Sequence, residues 1–183
     1  MVKHTWILAI ALAWSMTAPA FAQDRKDLQI FRDASESVNR YTQFTIFDSV
    51  EFSVTQGQVV IDGWVTMPYK KDDIEKRVRR VEGVNTVENK LQVLPVSQFD
   101  DELRFRIARA IYGNSAFWNY AAMVNPPIHI VVNGGRVRLQ GVVQSNVDRQ
   151  LARSLATGFA AFEVKNELKT DEEVQAELEK IGQ

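Results

Sequence analysis

The chain has 183 residues, 45% hydrophobic and 25% charged, ordinary proportions for a folded globular protein. Its 22 Lys+Arg nearly balance 23 Asp+Glu, a formal net charge of -1, which argues against a generic nucleic-acid binder, since those are clearly basic. Cysteine is absent, which excludes disulfide staples, thiolate zinc sites, Cys nucleophiles and Cys lipid anchors.

Residues 1–22 read as an export signal. Lys3 supplies a positive start, Trp6 to Met16 is apolar except for Ser15, and Ala20-Phe21-Ala22 offers the small residues a signal peptidase reads. Cleavage is expected before Gln23. The apolar run is shorter than the ~20 residues a spanning helix needs, and no later stretch reaches that length. The expectation is therefore a soluble mature chain in the periplasm, with His129 as its only histidine.

The remainder is a repeat. A first helical stretch places Leu28, Phe31, Ala34, Val38 and Tyr41 on one face. An alternating run, Val50 to Val54, then meets the turn Thr55-Gln56-Gly57-Gln58 and a second alternating run with Val59, Ile61, Gly63 and Val65. Alternation around a short glycine turn predicts a β-hairpin. Gly63 lies inside the strand pattern and signals close approach by another backbone, expected here from the helix packed over the hairpin. Ile74, Val78 and Val81 then mark a helix, and Gly83-Val84 leads into a strand with Val87, Asn89 and Leu91.

The order repeats after the linker Pro95 to Phe99. Leu103, Ile107 and Ile111 form a helical stripe after Asp100-Asp101-Glu102, acidic residues suited to a helix N-terminus. The hairpin follows, with Val137, Leu139, Gly141 and Val143 displaced by 78 from their counterparts and Gly134-Gly135 in the turn. Leu151 and Leu155 are the expected helix counterparts. Val164, Asn166 and Leu168 are displaced by 77, so one residue is lost in the second helix or its entry. Ala160-Ala161 stands where the first copy has Gly83-Val84. Thr170 and Glu173 form a capping box for a tail helix with Val174, Leu178 and Ile181. The expected boundaries are signal 1–22, first module 23–94, linker 95–99, second module 100–169 and acidic tail 170–183.

Gly57-Gln58-Val59-Val60-Ile61-Asp62-Gly63 with Gly83 to Leu91, and Pro127 to Val143 with Val164 to Leu168, resemble the BON domain, the bacterial osmotically induced and nodulation module. The resemblance implies an α+β fold of two αββαβ modules, each a three-stranded mixed sheet with two helices on one face. It makes Gly57, Gly63, Gly83, Gly135 and Gly141 structural. It also implies a non-enzymatic envelope protein that binds phospholipid membranes or envelope partners and serves envelope integrity under osmotic stress.

The residues themselves offer little catalysis. His129 sits between Ile128 and Ile130, has no second His or Cys for a metal, and no phosphate loop or nucleophile elbow is present. No metal or cofactor is expected, and an unrecognised hydrolase lacks paired catalytic groups. The basic run Lys70 to Arg80 is read as a solvated face, with acid preceding base at Asp72–Lys76, Asp73–Arg77 and Glu75–Arg79. An anionic-lipid patch is the other reading of that run.

Residues 112–123 hold four aromatics, and the preceding helix adds Arg104, Arg106 and Arg109. From Phe99 to Lys169 there are nine basic and six acidic residues, while the tail from Thr170 has five acidic and one basic. The near-neutral total thus joins a basic module to an acidic tail. Arg104, Arg106, Arg109, Phe117, Trp118, Tyr120 and Met123 are the candidate contacts for the anionic headgroups of a membrane surface. The competing reading is that Phe117, Trp118 and Tyr120 extend the core under a long loop. A protein-interaction or chaperone-like module, using open sheet edges for an envelope protein partner, is the rival function. No nucleic-acid partner is expected.

Overall fold

Both hairpins turn on two residues in left-handed conformation, Gln56-Gly57 and Gly134-Gly135. Such turns match the twist of the flanking strands. Around them, the computed structural model describes residues 20–181. The expected signal segment lies outside the described residues except at Ala20–Ala22, where the first helix begins.

The first module runs α1 (Ala20–Asn39), β1 (Ser49–Thr55), β2 (Gln58–Val65), α2 (Pro68–Val78), β3 (Thr86–Asn89) and β4 (Gln92–Val93). The second runs α3 (Gln98–Tyr112), a 3₁₀ turn at Ser115–Phe117, α4 (Trp118–Ala121), β5 (Ile128–Asn133), β6 (Arg136–Val143), α5 (Asn146–Thr157), β7 (Glu163–Asn166) and β8 (Lys169–Thr170). Helix α6 (Asp171–Ile181) closes the chain. The central strand of each sheet, β2 or β6, pairs antiparallel with its hairpin partner on one side. On its other side it pairs parallel with two short strands in succession, β3 and β4 or β7 and β8. Each module is thus an α+β unit with a mixed sheet. Helix α3 starts at Gln98, within the stretch read as linker.

A carboxylate closes each turn. Asp27 of α1 accepts the N–H groups of Gln56 and Gly57 at 2.7 and 2.9 Å. Asp100 of α3 accepts those of Gly134 and Gly135, both at 2.8 Å. Both carboxylates are buried, so Asp100 ties helix to hairpin as well as suiting the helix N-terminus, where Ser97 Oγ accepts its own N–H. A second device repeats at the closing strand. Asn89 Nδ2 donates to the Lys71 carbonyl and Asn166 Nδ2 to the Arg149 carbonyl, while their side-chain oxygens accept from Leu91 and Leu168 N–H. The Val-x-Asn-x-Leu repeat therefore encodes a clamp between strand and second helix.

Four expectations change. A Cβ at Gly63 would fall on the Ser49 carbonyl and one at Gly141 on the Pro127 carbonyl. The close approach at each glycine therefore comes from the partner strand side of the hairpin, not from a helix. The buried stripe of α1 is Asp27, Ile30, Ala34 and Val38 rather than Leu28 and Phe31, which are half-buried. In α5 the fully buried residues are Ala152 and Ala156, at the same 78 displacement from Ile74 and Val78, with Leu151 and Leu155 packed beside them. The deletion consequently lies after Ala156, in the turn where Gly83 has no counterpart. Helix α6 carries the capping box, Thr170 N–H to Glu173 at 2.9 Å and Glu173 N–H to Thr170 Oγ1 at 3.3 Å. It packs on α1 of the first module as well as on β6 and β8.

The basic run also divides. Glu75–Arg79 forms at 2.7 Å. Lys76 instead pairs with Asp73 at 4.0 Å, and Arg77 lies over the Tyr41 ring at 4.6 Å. Lys70 is buried against Asp48 at 2.6 Å and is no part of a solvated face. Asp48 also accepts the N–H groups of Thr45 and Thr66, the further bonds a buried carboxylate needs.

Replacing Asp100 by Ala leaves the turn N–H groups without partners. The variant is expected to lose about 1–3 kcal/mol of unfolding free energy, read from the urea midpoint at unchanged slope. An unaltered midpoint would show that the turn stands without the carboxylate.

Candidate functional site

Helix α3 sets the outward face of the second module. Asp100, Leu103, Ile107 and Ile111 point inward and are buried. Phe105 and Arg109, set off that stripe, point outward. Phe105 is 61% exposed and meets Phe47 of the first module edge to face, ring centres 5.1 Å apart. Arg106 is exposed and pairs with Glu102 at 3.3 Å. Arg109 has no ion pair among the described residues. Val96, fully exposed, lines the same shallow groove along α3.

Arg104 does not belong to that face. Its guanidinium is buried, pairs with Asp101 and donates to the Val132 carbonyl at 2.7 Å. It holds α3 against the end of β5, next to the turn that Asp100 closes.

The aromatic segment splits by its helical period. Phe117 and Tyr120, three apart, face the core and are buried, with ring centres 5.8 Å apart. They are thereby removed from any headgroup contact. The hydroxyl oxygen of Tyr120 accepts the Gln144 N–H at 2.8 Å. Thr66, displaced by 78, gives its N–H to Asp48 in the first module. The tyrosine hydroxyl thus stands where the first module has a carboxylate. Burial raises its pKa, while the Gln144 N–H works the other way. Trp118 is 66% exposed, and Met123 and Val124 are also exposed.

The exposed members of the sequence-predicted set are therefore Arg106, Arg109, Trp118 and Met123, and the structure adds Phe105. The signal for Phe105 was present: an aromatic two residues off an apolar stripe, between two arginines, has no place in the core. Phe99 and Phe162 are also exposed and flank the Gly135 turn.

A second polar locus lies where the modules meet. Side chains from the helix-free sheet faces come together there. Arg138 stacks over Trp64 at 4.7 Å, and Gln140 Nε2 donates to Glu51 at 3.3 Å. The Ile130 N–H donates to the Ile46 carbonyl at 2.7 Å, so the outer edge of β5 is bonded to the first module. His129 stacks on Phe44 with centroids 5.2 Å apart. Its Nδ1 is buried without a hydrogen-bond partner. Burial lowers its pKa, opposed by the backbone at Asp48 and Thr45 and by the Asp48 charge. His129 alternates with buried Ile128 and Ile130 and so lies off the core face, and that face is covered by the other module.

Comparison with known proteins adds the following. A family model described as "BON domain" matches residues 39–95 and 100–178, one match in each module. No curated protein matches. Two solved structures of CdsD, a structural protein of the type III secretion system of Chlamydia trachomatis, are similar at low level. One is 14% identical, covering 81% of this chain and 96% of that one, with a TM-score of 0.28. The other, a C-terminal domain, is 11% identical, covering 76% and 96%, with a TM-score of 0.29. Likeness at these scores carries no weight for fold or role.

The lowered pKa of His129 has a defined sign. Stability from the neutral ring is fully present above the ordinary value of about 6.5 and is lost as pH falls through the lowered folded value. Between pH 7.5 and 5, the native chain is expected to lose more melting temperature than His129→Gln. Equal losses would show that the ring does not titrate against the interface.

Proposed function

The chain belongs to the BON-domain family of periplasmic and membrane-associated proteins, and from that membership we propose that its second module docks reversibly on anionic phospholipid. The observation that carries the reading is that exposed Phe105, Arg106 and Arg109 line one groove on α3, with Trp118 and Met123 exposed on the segment that follows it. Element α4 packs against α3. An amphipathic surface of this kind combines apolar insertion with attraction to anionic headgroups. Each arginine near such a surface contributes about 1 kcal/mol. Arg109 has no carboxylate to give up on binding, whereas Arg106 must leave or share Glu102.

The contact is peripheral. No helix among the described residues is long and apolar enough to cross a membrane, and without cysteine in the chain there is no thiol to carry a lipid. The setting we propose is the periplasm, reached through a signal at residues 1–22, and the role is support of envelope integrity under osmotic stress. A protein-binding role gains support from a different feature, the outer parallel edges at β3–β4 and β7–β8, with exposed Phe162 just before β7.

Sedimentation with vesicles separates these readings. Binding to phosphatidylglycerol vesicles is expected to weaken with salt, because screening weakens headgroup attraction. Arg109→Ala should cost about fivefold in affinity, and Trp118→Ala should weaken binding further when combined with it, at an unchanged circular dichroism melt. Equal binding by these variants would remove α3 from the contact. Suppression of client aggregation without vesicle binding would favour the protein-interaction role.

A further inference from the structure

The turn that Asp100 closes carries the chain's single Asn-Gly pair, Asn133-Gly134. At such a pair a main chain reacts readily with its own side chain, because glycine has no Cβ to crowd the approach. The Gly134 nitrogen loses its proton and attacks the side-chain carbonyl carbon of Asn133. A five-membered succinimide closes and ammonia leaves. Water then opens the ring at either carbonyl. The product is aspartate or isoaspartate, the second with the main chain routed through the former side chain. The first module has Thr55-Gln56 at these places, so the second module alone holds the reactive pair.

Asn133 is exposed, and a Cβ built on Gly134 would meet no atom within 4 Å, so packing does not shield the pair. The restraint comes from the main chain, which α3 holds on both sides of Asn133. Arg104 donates to the Val132 carbonyl at 2.7 Å, and Asp100 accepts the Gly134 and Gly135 N–H groups, both at 2.8 Å. Asn133 itself ends β5 and pairs with Arg136. In an extended strand the side chain stands off the sheet while the next nitrogen continues along it. The carbon to be attacked and the attacking nitrogen are thereby held apart. The proton is held as well. The Gly134 N–H donates to a carboxylate that is only 1% exposed, and a negative charge so close opposes formation of an amide anion.

We propose that Asn133 is a site of spontaneous deamidation and that the Asp100 clamp sets its rate, the reaction proceeding only while the turn is open. Turns open locally at a lower cost than the whole fold, so the reaction reports on this one contact. Its product also acts on the contact. Isoaspartate adds a methylene group to the main chain between the Asn133 Cα and the Gly134 nitrogen, which moves the Gly134 N–H relative to Asp100. A modified chain therefore does not recover the original clamp between α3 and the hairpin. None of this uses the membrane reading, so the two stand or fall independently.

Peptide mass spectrometry of the full chain held in mildly alkaline buffer tests it, with the site located by fragmentation and isoaspartate counted by isoaspartyl methyltransferase. The native chain is expected to deamidate at Asn133 more than about tenfold more slowly than the same chain unfolded in guanidinium chloride, because only the open fraction reacts. Asp100→Asn keeps one acceptor oxygen and removes the charge, and should speed the native reaction about tenfold. Asp27→Ala removes the matching clamp from the first module and should leave the Asn133 rate at its native value. Equal rates in the native and unfolded chains would overturn the proposal. So would Asp100→Asn reacting no faster than the native chain. Asp27→Ala reacting as fast as Asp100→Asn would also overturn it, by tracing the reaction to global unfolding rather than to this turn.

Discussion

In each module one buried carboxylate ties the first helix to the turn of the hairpin. Asp27 and Asp100 reach from the first helix to the turn of the hairpin and accept two backbone N–H groups each. A two-residue turn with both residues left-handed leaves those groups aimed inward, and a buried donor without a partner is costly. The bond therefore fixes the helix in rotation as well as in position. With Asp100 inward, Leu103, Ile107 and Ile111 follow it into the core, and Phe105 and Arg109 are turned to the outside. The outward face of α3 is thus a geometric consequence of how the hairpin is closed.

The two copies share this frame and differ in how they fill it. The first module stabilises the start of its second helix with the buried Asp48–Lys70 pair. The second uses the Tyr120 hydroxyl at the equivalent backbone position. Its second helix buries Ala152 and Ala156 where the first buries Ile74 and Val78, and its core cluster gains Phe117 and Tyr120. Two aromatics from the segment after α3 are consumed in this way. Trp118, on the other side of the same short helical turns, and Met123, just past them, remain outside.

Much of this was legible in the sequence, for identifiable reasons. Strand alternation and the 78-residue displacement located both hairpins, because period two and a glycine turn leave few other structures. Gly63 and Gly141 were recognisable as sites of close approach, but sequence does not say which backbone approaches. The stripe of α1 was misread because α1 is apolar on two sides. Ile30 faces its own core, and Phe31 faces the cleft between modules. Arg104 and Lys70 look like surface cations, and their burial depends on a carbonyl at Val132 and a carboxylate at Asp48 that lie far away in the chain. The seam was the least legible feature. Its contributors, Glu51, Trp64, His129 and Gln140, occupy strand positions that alternation assigns to solvent.

The proposed membrane contact turns on whether Trp118 enters the headgroup region. In a chain from Gln23 onward with Trp64→Phe, Trp118 is the sole tryptophan. Its emission on addition of phosphatidylglycerol vesicles is the most direct measurement. A blue shift with quenching by brominated phospholipid is predicted, and neither with neutral phosphatidylcholine vesicles. Emission that stays unshifted and unquenched on anionic vesicles that bind the protein would contradict docking through this face.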